Sequence, residues 1–130
     1  MFLINVLMEN KGYTLVIGAS EDASRYSNKA ILSLRKHQMP VMAIGGHEGQ
    51  VADVKILVGK PKLESPIDTV TMYISEEHQQ EMIDYILSLK PRRIIFNPGA
   101  ENELFASLAK KKGVFTEEAC TLVLLSTGQY

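Results

Sequence analysis

Leu15-Val16-Ile17-Gly18-Ala19-Ser20 is an apolar run that stops at a glycine and a hydroxyl residue. A polar loop follows it, and then a helical pattern begins. A strand that breaks at glycine and restarts as a helix turns backbone N–H groups outward at the positive end of the helix. Such an end can hold a phosphate without a cationic side chain. The stretch falls short of the dinucleotide fingerprint, which needs glycines at three spaced positions; only Gly18 is present.

Outward from this point, strands and helices alternate. Thr14–Gly18 is continuously apolar, as central parallel strands are. Ser27 or Asn28 is placed to cap a helix running to about Gln38, with Ile31, Leu32 and Leu34 as its apolar face. Pro40 stops it, Val41–Ile44 is a second strand ending in Gly45-Gly46, and Lys55–Val58 a third. Thr69–Ile74 is rich in β-branched residues; Ser75 then caps a helix that opens on Glu76-Glu77 and carries Met82, Ile83, Ile86, Leu87 and Leu89 on one side. After Lys90-Pro91 come the strand Arg93–Phe96, the turn Asn97-Pro98-Gly99 and a helix over Asn102–Lys112 with Leu104, Phe105, Leu108 and Ala109 inward. Val114-Phe115 is a last short strand, and Thr121–Thr127 fits helix or strand equally. This alternation implies an α/β, Rossmann-like three-layer sandwich with a mainly parallel sheet. In such sheets the ligand lies beyond the carboxyl ends of the strands. Those ends are Gly18-Ala19-Ser20, Gly45-Gly46-His47, Ile74-Ser75 and Asn97-Pro98-Gly99, polar, small or glycine-rich in every case.

With 130 residues, 45% hydrophobic and 22% charged, the chain fits one ordinary globular domain. A net charge of −1 argues against a nucleic-acid partner. Cys120 is the only cysteine, which excludes an internal disulfide and a cysteine zinc site and suits a cytoplasmic protein. The apolar residues among 1–8 are too few to span a membrane and have no basic leader. Residues 1–12 are read as an N-terminal extension, with 1–7 upstream of the true start, and 13–130 as the domain.

Three segments together resemble the small stand-alone CoA-binding proteins, whose domain is related to the N-terminal domain of the succinyl-CoA synthetase α subunit. They are Gly18-Ala19-Ser20 with Arg25-Tyr26-Ser27, Ile95-Phe96-Asn97-Pro98-Gly99-Ala100-Glu101-Asn102, and the run from Glu118-Ala119-Cys120-Thr121 to Tyr130. The resemblance spans Tyr13 to Tyr130 and implies binding of CoA or acyl-CoA by a non-catalytic carrier, sensor or regulator. Ile44-Gly45-Gly46-His47 departs from the family's commoner Val-Asn-Pro ending and is similar instead to the CoA ligase α subunit. None of His37, His47 or His78 matches the phosphorylated histidine of the synthetases, so the resemblance implies binding and not ligation.

For such a ligand, backbone N–H groups around Ala19 and Ser20, with the Ser20 hydroxyl, are candidates for the pyrophosphate. Arg25 is the best nearby cation, because a guanidinium meets phosphate oxygens as a fork; Ser27 follows it in the same motif. Lys29 and Lys36 read more simply as solvated charges. Gly45 and Gly46 would let the adenosine approach, His47 would meet the 3′-phosphate, and Lys60 and Lys62 are further cations if their loop folds back. The strand end carries no carboxylate to take the ribose hydroxyls of NAD, and Glu48 is a weak substitute. Tyr73 and Ile74 would line the channel, and Asn97, Pro98 and Gly99 would offer backbone and amide hydrogen bonds to the pantetheine arm. Cys120 reads as a small buried hydrophobe rather than a nucleophile, and Glu117-Glu118 as a solvated turn. The residues form no catalytic constellation and no metal site. The rival readings are a small NAD(P)-dependent oxidoreductase and an interaction partner of a separate CoA-ligase-like subunit. A homo-dimer contact, if formed, is assigned to the apolar C-terminal tail.

Overall fold

The computed structural model describes residues 12–130. The extension assigned to residues 1–12 lies outside the described residues except for Gly12. Leu15, Val16 and Ile17 in strand β1 (Tyr13–Ala19) are each at most 2% exposed, so this strand is buried on both faces. Alternation then divides its side chains between two cores. Leu15 and Ile17 pack with Val70, Met72, Ile94 and Phe96, whereas Val16 packs with Ile31, Leu34 and Leu125.

The remaining elements are α1 (Tyr26–Lys36), β2 (Val41–Gly45), β3 (Gly49–Val51), β4 (Val54–Leu57) and β5 (Ile67–Met72). They continue as α2 (Glu76–Gln79), a 3₁₀ turn (Gln80–Met82), α3 (Ile83–Ser88), β6 (Arg93–Phe96), α4 (Glu103–Lys111), β7 (Phe115–Glu118) and α5 (Thr121–Ser126). The sheet order is β3-β4-β2-β1-β5-β6-β7, and every neighbouring pair is parallel except β3–β4. Numbered alone, the parallel strands run 3-2-1-4-5-6, the order of dinucleotide-binding folds, with the reversal between β1 and β5. One face is covered by α3 and α4, where Phe105 meets Phe96 edge-on with centroids 5.4 Å apart. The other is covered by α1 and α5. The α/β Rossmann-like expectation therefore holds.

Several local expectations differ. No helix joins β2 to β4; residues 46–53 are too few for a crossover helix, and β3 makes the return instead. Asp53, in the β3–β4 turn, accepts two hydrogen bonds from Arg35 at 2.9 and 2.8 Å, which ties the hairpin to α1. α1 begins at Tyr26 with Arg25 as its N-cap, so Ser27 and Asn28 lie inside it and are buried. Leu32 and Leu104 are 46% and 60% exposed. Each stands beside a fully buried neighbour, Ile31 and Phe105, and the helical turn carries it off the packed face. The helix after Ser75 is broken by the 3₁₀ turn. The last strand starts at Phe115, and the C-terminal segment is a helix whose Thr121 and Leu125 are buried in its own domain.

Candidate functional site

A cleft of about 450 Å³ opens at the carboxyl ends of β1, β5 and β6, beside the reversal of strand order. Its floor starts at Gly18, whose φ is +97°. A Cβ there would fall 2.9 Å from Ile74 Cγ2 and 3.1 Å from the Tyr73 carbonyl carbon, so only glycine lets the exit of β5 pack this closely on the exit of β1.

The β1–α1 loop is held by its own side chains. Ser20 Oγ accepts from Asp22 N at 3.0 Å, and Asp22 Oδ1 accepts from Ser24 N and Ser24 Oγ at 2.9 and 2.7 Å. The Ser24 hydroxyl and amide keep the Asp22 carboxyl below its ordinary range. Asn28 Nδ2, from the first turn of α1, donates to Ser20 O at 2.9 Å. These bonds deliver Ser24, Arg25, Tyr26 and Ser27 to one side of the cleft. α1 has no side-chain cap, and helix geometry leaves the N–H groups of its first turn without intrahelical acceptors. Arg25 makes no ion pair among the described residues, and no carboxylate lines this cleft. Lys29 Nζ lies 5.4 Å from the centroid of the exposed Tyr26 ring.

The facing wall is Tyr73, Asn97 and Pro98, with Cys120 and Leu122 from the start of α5. The Asn97 carboxamide is engaged in structure through both donors and one acceptor site: Nδ2 donates to Thr71 Oγ1 at 2.6 Å and to Met72 O at 2.9 Å, and Oδ1 accepts from Thr121 N at 2.9 Å. The amide thus holds β5 against the start of α5, and Oδ1 keeps a second acceptor site. Tyr73 Oη is buried without a hydrogen-bond partner among the described residues. Burial pushes this phenol up to about 12.

Of the residues singled out in the sequence, Gly18, Arg25, Ser27, Tyr73, Asn97 and Pro98 meet at this cleft. Ala19, Ser20, Gly46 and His47 meet instead in an adjoining recess of about 160 Å³, together with Glu21, Asp22 and Glu48. That recess is acidic although the β2 end itself has no carboxylate. Its charge comes from two loops that only the fold brings together. Gly45, Ile74 and Gly99 line neither space. A Cβ on Gly45 would fall 2.2 Å from Ala19 O, so this glycine serves the β1–β2 contact. Ile74 packs against the core, and exposed Gly99, at φ +92°, donates its N–H to Glu101 Oε1 at 2.9 Å. Lys36, Lys60 and Lys62 are absent from both linings. Cys120, expected to be a buried hydrophobe, is half-buried in the cleft wall; Ser24, Tyr26 and Leu122 also belong to the lining. Tyr26, Cys120 and Leu122 fall in the segments that carry the family resemblance, which assigns them no binding role, and Ser24 is marked in the sequence only by flanking Arg25.

Chemically, the cleft offers backbone donors, one guanidinium, hydroxyls, a thiol and an apolar side. No cluster of potential metal ligands and no helix long and apolar enough to cross a membrane occurs among the described residues.

A family model described as a CoA binding domain matches residues 13–126. An uncharacterized protein of known crystal structure is 38% identical, with a TM-score of 0.87 over 92% of this chain and 98% of its own. A Thermus thermophilus protein designated cell-free ID.343 is 18% identical, with a TM-score of 0.79 over 99% of this chain and 97% of its own. A hypothetical protein from Pyrococcus horikoshii is 14% identical, with a TM-score of 0.77 over 95% of this chain and 88% of its own. These last two show the fold alone. No curated protein matches the chain.

Proposed function

The chain belongs to the CoA binding domain family, and on that premise we propose that it binds CoA or an acyl-CoA in the cleft above β1, β5 and β6, as a cytoplasmic carrier, sensor or regulator rather than a catalyst. The observation that carries this reading is the pairing of Arg25 with the uncapped amino end of α1, in a cleft free of carboxylates at the reversal of strand order. That combination suits a pyrophosphate, since both the guanidinium and the helix end favour anions. The volume of about 450 Å³ is ordinary for a small-molecule site. The pantetheine arm would run along Tyr73, Pro98, Cys120 and Leu122, an uncharged wall. The adenosine would turn toward Gly46 and His47, where the carboxylates suit hydroxyl and amine donors but oppose a 3′-phosphate, leaving His47 as its candidate contact. The cleft thiol has no histidine or carboxylate beside it in the lining, which supports binding without chemistry.

Calorimetry with CoA, dephospho-CoA, NAD and ADP tests the reading. CoA is expected to bind, and Arg25→Gln to weaken it about tenfold, equivalent to roughly 1.4 kcal/mol. Binding of NAD with indifference to CoA would replace the reading with the oxidoreductase. Silence from all four ligands, in protein shown to be ligand-free, would leave the interaction partner.

A further inference from the structure

Gln79 ends α2 with no exposed surface, and it does not line the cleft. Its carboxamide nevertheless joins the two loops that do. Nε2 donates to Ile74 O at 2.9 Å and to Ala100 O at 2.7 Å. Oε1 accepts from Asn102 Nδ2 at 3.0 Å, and Asn102 Oδ1 caps α4 by accepting from Phe105 N at 3.0 Å. Ile74 directly follows the cleft residue Tyr73. Ala100 closes the turn that starts at cleft residue Asn97, donating its N–H to Asn97 O at 2.8 Å.

The β5–β6 ladder ends at Met72 and Phe96, just where the cleft begins. Beyond it, the two exits diverge into separate loops, and the Gln79 side chain supplies further rungs between them. A buried carbonyl that loses its donor must find water or another partner, so these rungs resist separation of the loops. We infer that Gln79 is a positioning residue for ligand binding, whose carboxamide holds the Tyr73 and Pro98 parts of the cleft wall in register with one another. The geometry stands by itself; only the ligand named in the test rests on the CoA reading. A cleft held in its binding shape before the ligand arrives binds more tightly, because little ordering remains to be done.

Gln79→Leu keeps most of the side-chain volume and removes all three hydrogen bonds. Two readouts test it, both at a temperature well below the variant's unfolding transition. In the free protein, amide hydrogen exchange is expected to accelerate at Ala100 and His78 while Leu15 and Val70 in the sheet keep their protection. In calorimetry, CoA affinity is expected to fall about tenfold for the folded protein. Unchanged exchange at the two loops would overturn the inference whatever CoA does. Faster exchange with CoA affinity within twofold of wild type would also overturn it, since Gln79 would then be structural alone. If wild-type protein ignores CoA while the loops loosen as expected, the CoA reading fails and the positioning of the loops stands. Should Gln79→Leu not fold, Asn102→Ser keeps a capping oxygen for α4 and deletes the donor to Gln79. It should shift both readouts in the same direction by about threefold, and no shift in either would overturn the inference.

Discussion

Asn97 and Tyr73 share one wall of the cleft with opposite accounts of their polar atoms. Asn97 makes three buried hydrogen bonds, whereas Tyr73 Oη makes none among the described residues. Replacing Asn97 by Leu leaves Met72 O and Thr121 N without their side-chain partner and should cost about 2–4 kcal/mol of stability. Tyr73→Phe removes an unpaired buried hydroxyl and should leave the unfolding temperature unchanged or raise it. Chemical denaturation of both variants checks the contrast; a Tyr73→Phe protein as unstable as Asn97→Leu would contradict it. Gly18 was legible in the sequence because a strand that stops at glycine signals a special backbone. Gln79 was not: a glutamine inside a polar helix start looks solvated, and its burial depends on carbonyls distant in sequence.

At the scale of elements, Asp68 of β5 and Arg92 ahead of β6 form a forked pair, with Nε–Oδ1 at 2.8 Å and Nη2–Oδ2 at 3.0 Å. The Arg92 hydrogen bonds hold the Asp68 carboxyl below its ordinary value. A carboxyl depressed in the folded state adds stability that is present above its unfolded value of about 3.9 and is lost as pH falls through the lower folded value. Arg92 is largely exposed and solvent screens the pair, so Arg92→Gln should cost only about 0.5 kcal/mol at pH 7. The difference from wild type should vanish below the folded pKa of Asp68, as followed by unfolding temperature against pH. The elements themselves were readable where periodicity is long, as in α1 and α4. The β3–β4 hairpin was not, because Gly49–Val51 is short and its turn, Ala52-Asp53, lacks glycine although Ala52 has φ +53°. Arg35 fastens that turn from α1, a contact with no local signal.

For the whole molecule, a ligand that binds only the folded state stabilises it by mass action. At CoA a hundredfold above its dissociation constant the gain is about 2.7 kcal/mol, which should raise the unfolding temperature on the order of 10 °C; thermal scans with and without CoA check this. The net charge of −1 offers no general attraction to an anion, so binding depends on local groups. Raising salt should therefore weaken CoA binding only severalfold, far less than for a polybasic surface. The sequence by itself determined the α/β alternation, the doubly buried first strand and the strand ends beyond which sheets of this kind bind ligands. Those follow from hydrophobic period and chain breaks, which are local. Only the tertiary structure decided that Arg25, Tyr73, Pro98 and Cys120 share one cleft, and that Ser20 and His47 sit in an acidic recess beside it. It alone turned the Asn97 amide inward and buried Gln79 between two loops. Strand order brings distant loops together, and hydrogen bonds across that distance leave no period in the chain.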